Sequence, residues 1–453
     1  MKRVMNEHFD VNITAWFTDI FLTNVLTVVS PERFIRNKDL YIKENNELYT
    51  EYSEVLELES RKCFNFFWEQ VNANKNSAGY GLIRDRAPGN PHISSVASVG
   101  FGLTAIAIGA ERGWVSYDEA YERTLGTLNT LLYNVAQENG FYYHFFDMET
   151  GKRAWNCEVS IVDTAIALCG AITAGEYFGG KIKRKSEELY KRVDWQWFVD
   201  DQRKQFYMAY YPERGFEGYW DFYAEQFMAY FLSAASPTYP ADPDLFYNFQ
   251  RNYGTYDGVD KFIHSWFGSI FTHQYSFAWF DLRNMVDGEG IDWWENSIIA
   301  IKNNRKFCIN NDNKFKTFGE KSWGLTACDG PNGYNGRYGA PPSGNNNIEH
   351  VVDGTVPPAG AAGSIVFLPD ESIAALENYN KNYPQLWGEY GFKDAYNLDV
   401  SPAWFANDVI GIDKGITLLM IENYRSGFVW ENFMKNEYVK IGLEKVGFKR
   451  KAG

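Results

Sequence analysis

Apolar and polar positions along the chain fall into two alternating patterns, both with the period of a helix. One is rich in small residues and almost free of charge. It begins near Ser94 with SSVASVGFGLTAIAIGAERG, where Gly102, Ala105 and Gly109 fall three to four apart and make one flat helix face. EVSIVDTAIALCGAITAGEYF repeats it with Ala167, Gly170, Ala171 and Ala174. DFYAEQFMAYFLSAASP, WFGSIFTHQYSFAWFDL, PPAGAAGSIVFL and FANDVIGIDKGITLLMIENYRSG continue the series. A helix apolar on most sides must be buried on most sides. The other pattern has one apolar stripe and one wet face, as in VLELESRKCFNFFWEQV, YDEAYERTLGTLNTLLYNVAQE, KRKSEELYKRVDWQWF, DWWENSIIAIKNNRKF and DESIAALENYNKNY. Ser116 and Asp370 stand where caps would start two of these helices.

This order predicts an all-α fold. Six buried helices alternating with about six amphipathic ones describe an (α/α)6 toroid, a six-hairpin barrel, over residues 51–453. Residues 1–50 read as an N-terminal helical extension. The rival is an α-solenoid of helix pairs, but solenoid repeats keep a fixed period and the spacing here is uneven. The longest interruption runs from about Gly319 to Pro358 and contains WGLTACDGPNGYNGRYGAPPSGNNN. Its length marks it as functional or disordered, and its aromatics favour an ordered cover.

Composition narrows the chemistry. The 453 residues carry a net charge of −14, which argues against nucleic acid or an anionic membrane as partner. Aromatics make up 17% of the chain, rich for this class of protein and suited to a neutral ligand. Five cysteines at irregular spacing, with no CxxC, form neither a disulfide framework nor a zinc site. The histidines are scattered without metal-binding spacing, so neither a metal nor another cofactor is expected. The apolar run Ile13 to Val29 contains Asp19 and Asn24, too polar for a signal peptide or a membrane span. The expected location is the cytoplasm. Nucleotide-binding glycine loops are absent, as is any Ser-His-Asp or Cys-His pattern.

In a toroid, one end gathers the starts of the inner helices and the loops that feed them. The polar groups near those starts are Asp85, Arg86 and His92 for the first, and Trp155, Glu158 and Asp163 for the second. Tyr219, Trp220, Asp221 and Glu225 precede the third, with Asp221 and Glu225 four apart on one helix face. Asp329, Glu349 and Asp353 lie in the long loop, and Trp404, Asn407 and Asp408 precede the sixth. Paired carboxylates across an aromatic-lined cleft are what glycosidic hydrolysis needs: one stays protonated to donate to the leaving oxygen, the other stays ionised to activate water or attack. Glu225, set between bulky aromatics, suits the first role. Asp163 interrupts an apolar helix, so it needs either a function or a buried partner such as Arg86 or Arg153. Glu158 has a plain alternative in stabilising a helix N-terminus, and Asp408 and Asp413 in capping or pairing with Arg425.

These stretches resemble the glucoamylase-like "glycoamylase" domain family, which includes bacterial endo-β-1,2-glucanases and a domain of cyclic β-1,2-glucan synthases. The resemblance rests on ISSVASVGFGLTAIAIGAERGW, EVSIVDTAIALCGAITAGEYF, YAEQFMAYFLSAASPTYP, WGLTACDGPNGYNGRYGAPP, VDGTVPPAGAAGS and WFANDVIGIDKGITLLMIENYRSGFVW, which span roughly Gly79 to Trp430. It implies an (α/α)6 barrel that hydrolyses or transfers glucosidic linkages without a metal, with inversion in the glucanase branch. By position, Asp163 and Glu225 match acidic residues of the family's second and third inner helices. Where the glucanases carry two further aspartates, this chain has Asn156 and Ser160, with Glu158 between them.

The expectation is therefore a glycoside hydrolase acting on glucooligosaccharides, most simply β-1,2-linked. Glu225 would be the proton donor and Asp163 or Glu158 the water-activating base. Trp323, Asp329 and Tyr338 would cover the sugar, and Arg86 and His92 would bind hydroxyls. Trp155, Tyr219, Asp221, Trp404 and Asp408 would complete the cleft. An α-glucan hydrolase and a non-catalytic carbohydrate-binding barrel are the alternatives, since a fold alone does not decide function.

Overall fold

The computed structural model describes residues 46–342 and 350–451. The predicted extension lies outside them up to residue 45, as does Glu349. The chain divides into two units between Glu54 and Val55, and the second, from Val55 onward, holds the core.

In chain order the first helices are α1 (Asn46–Glu69), α2 (Val96–Glu111), α3 (Tyr117–Tyr133), α4 (Ile161–Phe178), α5 (Gly180–Lys191) and α6 (Phe227–Ala235). Then come α7 (Tyr275–Trp279), α8 (Trp293–Asn310), α9 (Pro358–Ala362), α10 (Pro369–Asn382), α11 (Gly411–Arg425), α12 (Phe428–Phe433) and α13 (Glu437–Lys445). The small-residue segments become α2, α4, α6, α7, α9 and α11. Their side chains are buried almost throughout. α4 is apolar and long enough to cross a membrane, yet 78% of its residues are buried inside the protein, the mark of a core helix.

Small residues let these helices approach closely. A Cβ at Gly170 would overlap the carbonyl oxygen of Gly100, so α2 and α4 cross at a spacing only glycine permits. α2 packs on both α4 and α11, α4 on α6, and α11 on α7 and α9. Two side chains join the remaining neighbours. Ser276 Oγ donates to the Glu225 carbonyl at 2.8 Å, and Gln274 Nε2 to the Gly360 carbonyl at 2.9 Å. Outside this layer, α3 and α5 pack on each other, α3 also on α2 and α4 and α5 on α4, while α10 covers α9 and α13 covers α6. Ser116 caps α3 with a reciprocal capping box to Glu119, as its sequence predicts.

The structure is helix-rich, but it departs from the sequence expectation in four places. WFGSIFTHQYSFAWFDL forms only a 3-10 turn at Ile270–His273 and the short α7, and PPAGAAGSIVFL only α9. β-branched and aromatic side chains lower helix propensity in the first, and Gly363 follows α9 directly. The third inner helix starts at Phe227, not near Asp221, because Phe222 bridges to Gln250 and the Gln250 N–H donates to the Asp221 carbonyl at 2.7 Å. Asp221 and Glu225 therefore do not share a helix face. Asp370 lies in the first turn of α10, which has no side-chain cap.

The loops between helices carry short antiparallel ladders that the helical periodicity does not foretell. Residues 93–95 pair with 145–147, and 86–87 with 409–410. The largest sheet joins 159–160, 199–200 and the hairpin 205–211/215–219. These ladders fix the segments that enter the inner helices.

Candidate active site

The strand at 159–160 delivers the chain into α4. Ser160 caps that helix, its Oγ accepting from the Asp163 N–H at 3.3 Å, and this places Asp163 in the first turn. The bridge between Tyr143 and Val159 brings His144 alongside. His144 Nδ1 lies 2.8 Å from Glu158 Oε1 and 3.9 Å from Asp163 Oδ2. Burial works against an imidazolium here, but Asp163, Glu158 and Asp85 outweigh it and raise the His144 pKa to about 9. Burial likewise opposes a charged Glu158, and the hydrogen bond to His144 overcomes it and lowers the Glu158 pKa. Asp85 is raised by burial, within the fields of Arg86, His144 and Asp163.

Glu225 stands two residues ahead of α6, partly buried. Burial raises its pKa to about 7, and the charge of Asp163 pushes the same way. Asp163 in α4 and Glu225 ahead of α6 thus act on one another. Tyr275, at the start of α7, is buried; desolvation raises its pKa, and Asp413, Tyr334, Glu225 and Asp394 add to the effect. Its hydroxyl lies within the fields of both Glu225 and a second group of carboxylates.

That second group is centred on Arg86. Its Nη1 lies 3.0 Å from Asp329 Oδ2 and 3.3 Å from Asp408 Oδ2, and its Nε lies 3.7 Å from Asp85 Oδ2. Asp408 also accepts the Gly89 N–H at 3.0 Å, and Asp394 Oδ2 accepts the Asp329 N–H at 2.6 Å. Asp394 and Asp413 are both buried and face each other as a carboxyl pair. Burial raises both, Asp394 well above the usual range and Asp413 to about 6, and each carboxyl's charge acts on the other. Among the described residues, Asp394 Oδ1 and Asp413 Oδ2 receive no donor. Behind Asp413, Lys414 Nζ pairs with Glu59 Oε1 at 2.7 Å, fully enclosed.

The structure thus sets Glu158 and Asp163 about His144, with Glu225 within the field of Asp163, and sets Arg86, Asp329 and Asp408 in one ion-pair cluster. Neither arginine expected as Asp163's partner serves it. Arg86 is held by Asp329 and Asp408, Arg153 pairs with Glu213, and the cation beside Asp163 is His144. Arg425, offered for Asp408 or Asp413, pairs with Glu57.

Several aromatic expectations are corrected. Trp323 has no exposed surface, and Tyr379 brackets its main chain, so it cannot meet a sugar. Tyr338 is buried, its hydroxyl donating to Asp353 Oδ2 at 2.6 Å, and it packs with Cys328, Ala395, Val351 and Trp404. His92 is exposed and lines a separate polar groove with Gln70, Asn72, Arg84 and Glu149. Tyr219 ends the outer hairpin, with Arg203 over its ring at 4.1 Å. Trp155 is 57% exposed on the loop before Glu158. Sequence reasoning missed His144, Tyr275 and Asp394, and read Asp413 only as a capping or pairing residue. Among these, only Asp413 carries a signal, a charge inside an apolar helix. Among the described residues no group of three or more His, Cys, Asp or Glu is placed to hold a metal ion.

Comparison with known proteins bears on this geometry. The Glycoamylase family model, described as "Putative glucoamylase", matches residues 217–437. A curated exo β-1,2-glucooligosaccharide sophorohydrolase (non-reducing end) from Parabacteroides distasonis is 28% identical over 436 residues, covering 87% of this chain. The chain spans 58% of the length of that relative. An endo-β-1,2-glucanase from Chitinophaga pinensis, solved with sophorotriose and glucose, superposes with a TM-score of 0.78 at 25% identity. That match covers 88% of this chain and 98% of the other. A β-1,2-glucanase from Parabacteroides distasonis gives 0.78 at 27% identity over 87% of this chain and 60% of its own. The family model and the relatives point the same way as the motifs, and the chain resembles the glycoamylase family.

Proposed function

We propose that the protein is a glycoside hydrolase of the glycoamylase type that cleaves β-1,2-linked glucooligosaccharides on an (α/α)6 toroid. The observation that carries this reading is Glu225, a carboxyl raised to about 7 by burial and by the neighbouring Asp163, at the end where the inner helices start. A carboxylic acid protonated near neutrality beside an acid on another helix is the pairing that glycosidic hydrolysis requires. The β-1,2-glucan relatives supply the linkage.

In this mechanism Glu225 gives its proton to the leaving glycosidic oxygen as the bond to the anomeric carbon breaks. Asp163 takes a proton from water, whose oxygen bonds to that carbon from the opposite face, with inversion. His144 and Ser160 hold Asp163 in place, and Glu158 serves by holding His144. Asp413 is a second reading for the base. Its Oδ2 has no donor among the described residues, and Tyr275 feels both Asp413 and Glu225. Asp163→Asn and Asp413→Asn, assayed with azide as an external nucleophile, separate the two.

The test is purified protein with linear β-1,2-glucan, the sophorose series and the maltose series. Release of sugar from the β-1,2 series alone is expected, with the inverted anomer formed first by NMR. Turnover of the maltose series alone would transfer the reading to an α-glucan hydrolase. No release from any substrate would end it.

A further inference from the structure

Trp155 is held in a way that its own chemistry does not favour. Residues Ala154 to Cys157 form a tight turn, closed by the Cys157 N–H donating to the Ala154 carbonyl at 3.1 Å. Both central residues have positive φ, 54° at Trp155 and 50° at Asn156. Such turns favour Asn, Asp and Gly, and Asn156 fits. A bulky indole at left-handed φ is an outlier of the kind that persists only when the surroundings impose it.

The surroundings do impose it. Arg153 Nε donates to the Cys157 carbonyl at 2.6 Å and Nη2 to the Asn156 carbonyl at 2.7 Å, gripping the turn from below. The same guanidinium is bidentate to Glu213, at 2.5 and 3.1 Å, which ties the turn to the tip of the 205–219 hairpin. The Ala154 N–H donates to the Phe145 carbonyl at 3.0 Å. The product of this bracing is a tryptophan left 57% exposed. Core packing does not account for it, because the ring is mostly outside the core.

Its position supplies the reason. The indole lies 5.0 Å from the Phe145 ring, Phe145 stacks on His144 at 3.8 Å, and His144 holds Glu158 at 2.8 Å. A row of rings thus runs from open solvent to the acids. We propose that Trp155 is a stacking platform for a sugar ring beyond the one being cleaved, so that the protein binds longer saccharides more tightly than short ones. This rests on the hydrolase reading for its ligand class. An indole face meets the apolar face of a pyranose without a charged partner, which suits a neutral saccharide and no anion.

The experiment uses the full chain in a Glu225→Gln background, so that binding can be read by calorimetry without turnover, with β-1,2-glucooligosaccharides of increasing length. Turnover is measured separately on the unsubstituted protein. One added sugar unit should tighten binding about tenfold. Trp155→Ala should abolish that step and Trp155→Phe should retain most of it. Unchanged thermal unfolding confirms that Trp155→Ala has kept its fold. If the step survives in Trp155→Ala, or if affinity does not depend on length, the platform is refuted. If the step is present and vanishes with Trp155→Ala while the unsubstituted protein shows no turnover, the platform stands and the hydrolase reading falls. If turnover is present but the step is indifferent to Trp155, the reverse holds. No binding at any length sinks both.

Discussion

Glu225→Gln tests the electrostatics of the site through stability as well as rate. In the native protein burial and Asp163 raise the Glu225 pKa from 4.5 to about 7. Between those values the native state keeps a proton that the unfolded chain has lost, so native stability falls as pH rises across that window. Above pH 7 the ionised group costs the fold on the order of 3 kcal/mol. Glutamine has the shape of the protonated acid and cannot ionise. The variant should therefore match the wild type near pH 4.5 and exceed it by about 3 kcal/mol at pH 8. Urea unfolding of both proteins at the two pH values measures this, and titration of groups that do not interact with Glu225 cancels in the difference. The same protonation should give the wild type an alkaline limb in kcat/KM near pH 7, and the variant should lose at least about 100-fold in rate. A stability difference that is the same at both pH values would refute the claim that Glu225 is held protonated by its surroundings, whatever happens to activity.

Other contacts in and around the site set three further outcomes. His144→Gln removes a cation whose pKa is raised from 6.5 to about 9. Its contribution is complete below pH 6.5 and lost as pH rises through 9, so the wild type should lose its stability advantage over the variant across that interval in melting curves. Glu59→Gln leaves Lys414 buried without its counter-charge and should destabilise by roughly 3–5 kcal/mol in urea unfolding, with the site geometry as seen by sugar binding affected less than the fold. Gly170→Ala pushes a methyl into the Gly100 carbonyl and should cost at least about 1–3 kcal/mol, seen as a lowered melting temperature.

What the sequence discloses here depends on how costly each feature is to the fold. Helices α2 and α4 are buried on nearly all sides, and only small apolar residues allow that, so the pattern had to appear in the sequence. The ladders could not appear, since pairs of two or three residues such as 86–87 with 409–410 are too short to show a period. Aromatic richness was ambiguous. Trp323 and Tyr338 are core and brace, and much of the aromatic content goes into contacts such as Tyr223 with Trp293 at 4.9 Å rather than into a cleft. The acids were legible for a different reason. A carboxylate inside an apolar helix, as at Asp163 or Asp413, is strongly destabilising and must be answered by a partner or a function. The answering group carries no such mark. His144 comes from a loop 19 residues before Asp163, brought there by one bridge between Tyr143 and Val159, and Asp394 meets Asp413 only because the intervening chain doubles back. A chain read alone therefore shows where charge is intolerable before it shows what makes it tolerable. The strained exposure of Trp155 extends the same logic, for neither its left-handed backbone nor the grip of Arg153 is visible until the turn is closed.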